Sequence, residues 1–154
     1  MYTIVSKCEN DTKAFAKRLA GKLKIGDIIV LSGDLGSGKT KFTEGFLQFW
    51  NLENEISSPT FTIVNEYNAP EFNINHFDVY RLSDIDEFYV MGGTEYFEKG
   101  ISIIEWGEII EDILPTHIKI TFEKDDKEEQ KRILKIEANS ERLKTIIKEI
   151  EEEC

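Results

Sequence analysis

The sequence has few of the features that mark secreted or membrane-spanning proteins. It contains two cysteines, Cys8 and Cys154, which lie near opposite ends of the chain and belong to no Cys-x-x-Cys pair. Such sparse cysteine indicates thiols kept reduced in a cytoplasm. No stretch approaches the ~18 consecutive apolar residues of a membrane helix, and residues 1–7 do not resemble an export signal. We therefore expect a cytoplasmic protein that does not enter a membrane.

The chain also lacks a cluster of basic residues. Its 19 Lys and Arg residues are outnumbered by 30 Asp and Glu residues, which gives a formal net charge of -11. Proteins that bind nucleic acid unaided normally neutralise its phosphates with a basic patch. The charge balance therefore argues against direct binding of tRNA or DNA by this chain.

The remaining composition and the hydrophobic pattern predict one α/β domain over residues 1–154. Apolar residues make up 40% of the chain and charged residues 32%, without internal repeats or low-complexity linkers, as is typical of a globular domain. Apolar periodicity predicts helices over 11–24, 39–50, 84–91 and around 143–150. Short apolar or alternating runs predict strands at 28–31, 61–64, 72–78, 101–104, 118–122 and 131–138. We expect hairpins between 61–64 and 72–78 and between 118–122 and 131–138, and a cap on the first helix from Asp11 or Thr12.

Residues 33–40 read Gly-Asp-Leu-Gly-Ser-Gly-Lys-Thr and match the phosphate-loop pattern Gly-x-x-x-x-Gly-Lys-[Ser/Thr] in full. Glycines let the main chain approach an anion, successive N–H groups bind phosphate oxygens, and the following helix adds its positive end. Lys39 is expected to reach the β- and γ-phosphates, and the Thr40 hydroxyl to bind Mg²⁺. An ordinary glycine-rich turn is the alternative, but this loop follows an apolar strand and opens a helical pattern. We therefore predict a P-loop NTPase fold, with a mixed, mostly parallel sheet flanked by helices.

Two acidic residues that end predicted strands are candidates for the metal site. P-loop proteins hold Mg²⁺ with an acidic residue at the end of a nearby strand, and Asp78 ends the strand 72–78 in this way. Glu105 follows the strand 101–104 and is expected either to bind Mg²⁺ or to orient the attacking water. The ordinary alternatives are a helix cap or turn for Asp78 and a surface ion pair for Glu105.

Four motifs, in this order, resemble a known family. They are the phosphate loop, Ser58-Pro59-Thr60-Phe61-Thr62, His76-Phe77-Asp78-Val79-Tyr80-Arg81-Leu82 and Glu105-Trp106. Together, over residues 9–108, they resemble the bacterial TsaE (formerly YjeE) family, the ATPases of tRNA threonylcarbamoyladenosine biosynthesis. The chain departs from the family pattern at Ser37, Lys41 and Gly107, where Ala, Thr or Ser, and Pro are frequent. None of these departures removes a phosphate or metal ligand.

The resemblance implies a role in placing threonylcarbamoyl on N6 of adenosine 37 in tRNAs that read ANN codons. It implies that the transfer itself belongs to the partner proteins TsaD and TsaB. The family member binds that pair and hydrolyses ATP to support turnover. We expect this chain to be an Mg²⁺-dependent ATPase that is weak alone and stimulated by its partners, because rapid phosphoryl transfer needs additional positive charge in the transition state. It would therefore meet tRNA only through the complex, in agreement with the acidic composition.

The resemblance also extends the predicted site beyond the two carboxylates. Lys39, Asp78 and Glu105 are the predicted catalytic residues, and Thr40, Asp78 and Glu105 the predicted metal ligands. The predicted nucleotide-binding residues are Glu9, Gly33, Gly36, Ser37, Gly38, Lys39, Thr40, Lys41, Thr60 and Trp106.

Each position added by the resemblance has an ordinary alternative. Thr60 is expected to sense Mg²⁺ or the γ-phosphate from a switch-like loop, but Ser58-Pro59-Thr60 also suits a plain turn before a strand. Trp106 is expected beside the nucleotide or else in the core or an interface. Glu9 is expected near the adenine, in a segment where a helix cap is the simpler interpretation. Arg81 would steady the switch, contact a partner or form an ordinary ion pair.

Three other functions compete with a partner-dependent ATPase. A small P-loop kinase would collect arginines around the transferred phosphoryl group, whereas Arg18, Arg81, Arg132 and Arg142 are scattered along this chain. A GTPase would carry Asn-Lys-x-Asp to recognise guanine, and the sequence has no such tetrad. A nucleotide-dependent assembly factor, in which hydrolysis is incidental, stays open at this point.

Overall fold

The structure is a computed structural model that describes residues 2–33, 37–56, 64–79, 82, 84–106 and 110–153. Within these ranges the strands are β1 (Tyr2–Ser6), β2 (Ile28–Ser32), β3 (Val64–Asn68), β4 (Asn73–Asp78), β5 (Gly100–Glu105), β6 (Ile118–Lys124) and β7 (Arg132–Ala138). The α-helices are α1 (Glu9–Ala20), α2 (Lys39–Gln48), α3 (Ile85–Val90), α4 (Gly93–Tyr96) and α5 (Glu141–Glu153). Short 3-10 helices occupy Glu53–Glu55 and Glu111–Ile113. No helix in the described ranges is long and apolar enough to cross a membrane.

The seven strands form one mixed sheet in the order β1-β7-β6-β2-β5-β4-β3. Its centre, β6-β2-β5-β4, is parallel. Antiparallel pairs complete both edges, with β3 on β4 at one edge and β7 and β1 beyond β6 at the other. The predicted α/β fold with a mixed sheet is confirmed, as are both predicted hairpins. Because the central strands are parallel, β2, β4 and β5 all end at the same edge of the sheet.

Helices cover both faces of the sheet, so the central strands are buried on two sides. On one face, Phe15 of α1, Phe42 of α2 and Ile147 of α5 pack against alternate residues of the strands. On the other face, Phe88 of α3 and Phe97, which follows α4, pack in one core cluster with residues of the strands. Each fully buried Phe contributes roughly 1.5–3 kcal/mol relative to an exposed one.

Strand β2 shows why its sequence is a continuous apolar run. Ile29 and Leu31 face the α1-α2-α5 side, whereas Ile28 and Val30 face the α3-α4 side. All four side chains are fully buried. Successive side chains of a strand point to opposite faces, and helices cover both faces here.

The first helix differs from its predicted bounds. It runs over Glu9–Ala20 rather than 11–24, and Gly21 ends it. The prediction that Asp11 or Thr12 caps it was wrong, because the cap position is Cys8, which makes no side-chain cap bond. Thr12 is buried inside the helix, with its hydroxyl 2.6 Å from that of Ser6. The Asp11 carboxylate instead accepts a hydrogen bond from a main-chain N–H ahead of the helix.

Other boundaries moved by a few residues, and one strand was not predicted. Helix α2 ends at Gln48 rather than 50, and α3 begins at Ile85, where the Asp84 carboxylate accepts a hydrogen bond from the N–H of Glu87 at 3.1 Å. The predicted strand 61–64 is observed as Val64–Asn68, and its residues 61–63 lie outside the described ranges. Strand β1 had no counterpart among the predicted elements.

Candidate functional site

A cavity of about 580 Å³ lies where β4 and β5 end and α2 begins. Its wall is completed by the start of α1, by the residue following β5 and by the segment that enters β7. Small-molecule sites usually occupy about 300–1,000 Å³, and in open α/β sheets they lie at the carboxyl ends of the strands. The cavity therefore has the size and the position of a ligand site.

The loop that leaves β2 holds the ammonium of Lys39 at this cavity. The side chain is 6% exposed, and its Nζ donates a hydrogen bond of 2.9 Å to the carbonyl of Gly33. The same Nζ lies 4.0 Å from the centre of the Trp106 ring. A largely buried ammonium that faces a cavity is suited to an anionic ligand, because burial makes an uncompensated charge costly.

Gly33 is required where the chain turns into the loop. Its φ is 143°, and a Cβ at this position would lie 2.8 Å from the carbonyl oxygen of Phe122 and 2.8 Å from Oγ of Ser37. Any other residue would therefore collide with β6 and with the loop itself. The glycine lets the loop lie directly against the sheet.

The rest of the predicted phosphate loop is placed only in part. Ser37 is fully buried, and its hydroxyl has no hydrogen-bond partner among the described residues. Gly38 immediately precedes α2, and Thr40 is exposed at the cavity. Lys41 also lines the cavity, with its Nζ 3.9 Å from Glu9. Predicted residues that lie outside the described ranges are Gly36, Thr60 and Arg81.

Asp78 and Glu105 are brought side by side by the sheet. They are register partners at the ends of β4 and β5, and both line the cavity. Their neighbours Phe77 and Ile104 belong to the core on the α3-α4 side. Because side chains alternate along a strand, the two carboxylates face the α2 side, where the phosphate loop lies.

Two of the ordinary alternatives for the carboxylates, the helix cap for Asp78 and the surface ion pair for Glu105, do not match this geometry. The cap of α3 is Asp84 rather than Asp78. Glu105 is not in a surface ion pair, since its side chain is 13% exposed and its Oε2 lies 2.6 Å from Nε2 of the buried His76. Mg²⁺ is commonly held by one or two carboxylates together with substrate phosphates, and the donor set here suits that arrangement. Among the described residues, there is no group of three or more His, Cys, Asp or Glu side chains that could hold a metal ion without further ligands.

Trp106 and Glu9 both line the cavity. Trp106 follows β5 with a φ of 62°, lines the cavity in which the nucleotide is predicted, and also packs against the core on the α3-α4 side, as its ordinary alternative predicts. Glu9 is the first residue of α1 and is exposed. Thr12, one turn further along α1, also lines the cavity.

His76 and Arg132 also line the cavity, and the sequence did not predict a role for either of them. Arg132 begins β7, and its Nε donates a hydrogen bond of 3.1 Å to the carbonyl of Ser37. The arginines are scattered in sequence, but the fold brings Arg132 to the cavity, so their spacing along the chain does not by itself exclude a kinase. The signal was available in the topology, because β7 pairs antiparallel with β6 and so starts at the edge where β6 ends.

Fold and site together define the P-loop NTPase class. A buried parallel strand leads into a glycine loop, a helix begins at the loop lysine, and carboxylates end two neighbouring strands. The family model described as "Threonylcarbamoyl adenosine biosynthesis protein TsaE" matches residues 6–134. The chain belongs to the TsaE family.

Individual relatives agree with this assignment. The tRNA threonylcarbamoyladenosine biosynthesis protein TsaE of Rickettsia typhi is 40% identical over 151 residues, which cover 97% of this chain and 95% of that protein. The protein of the same name from Rickettsia bellii is 44% identical over 109 residues, covering 70% and 76%. The crystal structure of Bacillus subtilis YdiB matches with a TM-score of 0.76 at 31% identity, covering 99% of this chain and 95% of that one. The similarity therefore extends through β6, β7 and α5, beyond the motifs in residues 9–108.

Proposed function

We propose that this chain binds MgATP in the cavity and hydrolyses it in support of tRNA threonylcarbamoylation. The observation that carries the proposal is that Lys39, Thr40, Asp78 and Glu105 line one cavity at the end of the phosphate-loop strand. A cation, a hydroxyl and two carboxylates are the groups that phosphoryl chemistry with Mg²⁺ uses. Membership of a family named for threonylcarbamoyladenosine biosynthesis supports the pathway.

In this proposal each residue has a distinct task. Lys39 exchanges the Gly33 carbonyl for the β- and γ-phosphates, and the N–H groups of Gly33, Gly36, Ser37 and Gly38 surround the phosphate oxygens. Thr40 and Asp78 would hold Mg²⁺, which neutralises charge on the phosphates.

Glu105 orients the attacking water. Water then adds to the γ-phosphorus, the bond to the β-phosphate oxygen breaks, and ADP and inorganic phosphate leave. Glu9, Lys41 and Trp106 flank the nucleoside, and Thr60 senses the metal or the γ-phosphate.

The reaction would serve a complex with TsaD and TsaB in the cytoplasm, which modifies N6 of adenosine 37 in tRNAs that read ANN codons. In the proposed division of labour those partners contact the tRNA, because this chain carries a net charge of -11 and phosphate contacts need cations. Rapid phosphoryl transfer needs added positive charge in the transition state, and an arginine supplied by a partner can be worth ~10³–10⁵ in rate. We therefore propose that hydrolysis is slow for the isolated chain.

Steady-state ATP hydrolysis, measured with and without the TsaD–TsaB pair, tests the proposal. Multiple-turnover modification of tRNA is followed in the same mixtures. We expect a slow intrinsic rate that rises when the partners are added. Asp78→Ala and Glu105→Ala should lose the stimulated rate, whereas Trp106→Ala should lose less. Equal rates with and without partners would show that activation by partners is wrong, and no hydrolysis under either condition would contradict the enzymatic proposal.

A further inference from the structure

A buried histidine contacts one oxygen of Glu105. His76 lies on β4 two residues before Asp78, and its side chain is 4% exposed. Its Nε2 is 2.6 Å from Oε2 of Glu105, slightly shorter than the ~2.7–2.9 Å usual for a charge-assisted N–H···O hydrogen bond. Both residues line the cavity.

The direction of this hydrogen bond follows from the chemistry of the two groups. An ionised carboxylate can only accept, so Nε2–H of His76 donates. The other ring nitrogen, Nδ1, is buried and has no hydrogen-bond partner among the described residues. A buried N–H without an acceptor is rarer than an unpaired acceptor, which favours the tautomer that carries its proton on Nε2.

We propose that His76 is a positioning residue that fixes the Glu105 carboxylate for hydrolysis. Its hydrogen bond occupies Oε2 and leaves Oε1 to orient the attacking water, while Asp78 serves the metal. The inference rests on the proposed function, and it assigns separate tasks to two carboxylates that are register partners. A glutamate at the end of a strand has three rotatable side-chain bonds, and an orienting group must be held in one geometry to be effective.

Substitutions separate positioning from a purely structural role. His76→Leu fills the buried space with an apolar side chain and removes the Nε2–H donor. His76→Gln retains an N–H donor at a similar reach. The chain also offers a matched control in His117, whose Nε2 lies 3.7 Å from Oε1 of Glu111, in a second His–Glu pair that is not part of the cavity wall.

The kinetic test measures partner-stimulated ATP hydrolysis, nucleotide affinity by calorimetry and thermal unfolding for each variant. We expect His76→Leu to lower kcat about 10- to 100-fold, as the loss of an outer-shell partner does at metal sites. KM and the Kd for ATP should stay within about twofold, which is the signature of an interaction used in the transition state. His76→Gln should recover most of kcat, and His117→Leu should behave as wild type.

The possible failures are distinguishable. Wild-type kcat in His76→Leu would overturn the inference while leaving the proposed function intact. The inference also fails if His76→Gln is as slow as His76→Leu and both unfold at lower temperature, because that pattern reports packing. An inactive wild-type protein, even with TsaD and TsaB, would overturn the proposed function and this inference with it.

A spectroscopic measurement checks the contact independently of activity. In ¹⁵N-labelled protein, the Nε2–H proton of His76 should give a low-field, slowly exchanging resonance that shifts or disappears in Glu105→Ala. The same resonance unchanged in Glu105→Ala would contradict the contact and overturn the inference.

Discussion

The two ends of the parallel strands satisfy their buried polar groups in different ways. At the amino end, the Asp27 carboxylate accepts a hydrogen bond of 2.8 Å from the N–H of Lys24 and pairs with Arg142 of α5. At the carboxyl end, Lys39 and Glu105 face an open cavity. The pair at the amino end contacts only the protein, whereas Lys39 and Glu105, which also have partners within the protein, line a cavity that a ligand can enter.

Strand β2 connects these two ends and keeps them apart. It has five residues, which span about 16 Å at ~3.3 Å per residue. Sites separated by more than about 7–10 Å usually contribute additively. Substitutions at the amino end should therefore change stability without changing nucleotide binding, whereas those at the carboxyl end should change nucleotide binding and hydrolysis.

The largest effect is expected for Lys39→Ala. Removal of the ammonium should abolish hydrolysis and weaken ATP binding, because the phosphates lose their principal cation. Thr40→Ala is the matched neighbour, and it should damage Mg²⁺-dependent turnover more than nucleotide affinity. Hydrolysis assays and calorimetric titration with ATP measure both quantities. Wild-type turnover in these variants would show that the functional end has been wrongly identified.

Two glycines that flank β2 provide the next test. Gly33 and Gly26 both have positive φ, 143° and 96°, but a Cβ at Gly26 would meet nothing within 4 Å. Gly26→Ala should therefore cost only backbone strain, about 1–2 kcal/mol of unfolding free energy, without changing ATP affinity.

Gly33→Ala should in addition displace the loop, because its new Cβ would lie 2.8 Å from the Phe122 carbonyl oxygen. We expect ATP affinity to fall about tenfold or more, equivalent to about 1.4 kcal/mol. Equal effects of the two substitutions on calorimetric affinity would remove the distinction between the two ends of β2.

At the amino end, Asp27→Ala should destabilise the protein without altering hydrolysis. The Asp27 side chain is 8% exposed, so its hydrogen bonds are made in a largely buried setting. Loss of a hydrogen bond to a charged group costs roughly 1.5–3 kcal/mol, which urea unfolding would detect. Lys144→Ala is the control on α5, the helix that carries Arg142, the partner of Asp27. The pair of Lys144 with Glu141 is exposed and should contribute under ~1 kcal/mol. A loss of stimulated ATPase activity in folded Asp27→Ala would contradict the separation.

Much of the fold was predictable because its strongest signals are local. The apolar run Ile28–Leu31 and the spacing of Phe42 and Phe46 reflect burial that the sequence pattern records directly. Strand β1 was missed because the residue types of this edge strand do not follow its burial: Val5 is apolar but exposed, and Ser6 is polar but buried. Its pairing depends on β7, more than 120 residues later, at a register such as Ile4 with Leu134.

The site divides along the same line. Lys39, Asp78 and Glu105 belong to short motifs or strand ends, and the structure brings them to one cavity. His76 stood in a recognised motif, but its contact with Glu105 depends on the pairing of β4 with β5. Arg132 was missed for the same reason, because only the β6–β7 hairpin carries it to the phosphate loop.

Arg132→Gln should have the smallest effect on ATP binding among the substitutions at the carboxyl end. The Arg132 side chain supports the loop through the Ser37 carbonyl at 3.1 Å and adds positive charge to the cavity wall. Lys39 and Lys41 also supply charge there, so we expect ATP affinity to fall only about three- to fivefold, equivalent to about 0.7–1 kcal/mol. Arg132→Lys keeps the charge without the Nε donor, and its affinity for ATP should lie between those of the wild type and Arg132→Gln.

Arg142→Gln is the matched substitution at the amino end. Arg142 pairs with Asp27 and is remote from the cavity wall, so its replacement should lower the unfolding temperature and leave the calorimetric Kd for ATP unchanged. Arg132→Gln should instead raise the Kd for ATP and leave the unfolding temperature unchanged. If the two arginine variants lose affinity equally, the effect comes from net charge rather than from contact with the loop. In that case positive charge anywhere on this acidic protein would support ATP binding, and the distinction between the ends would hold for the lysine and the carboxylates but not for the arginines.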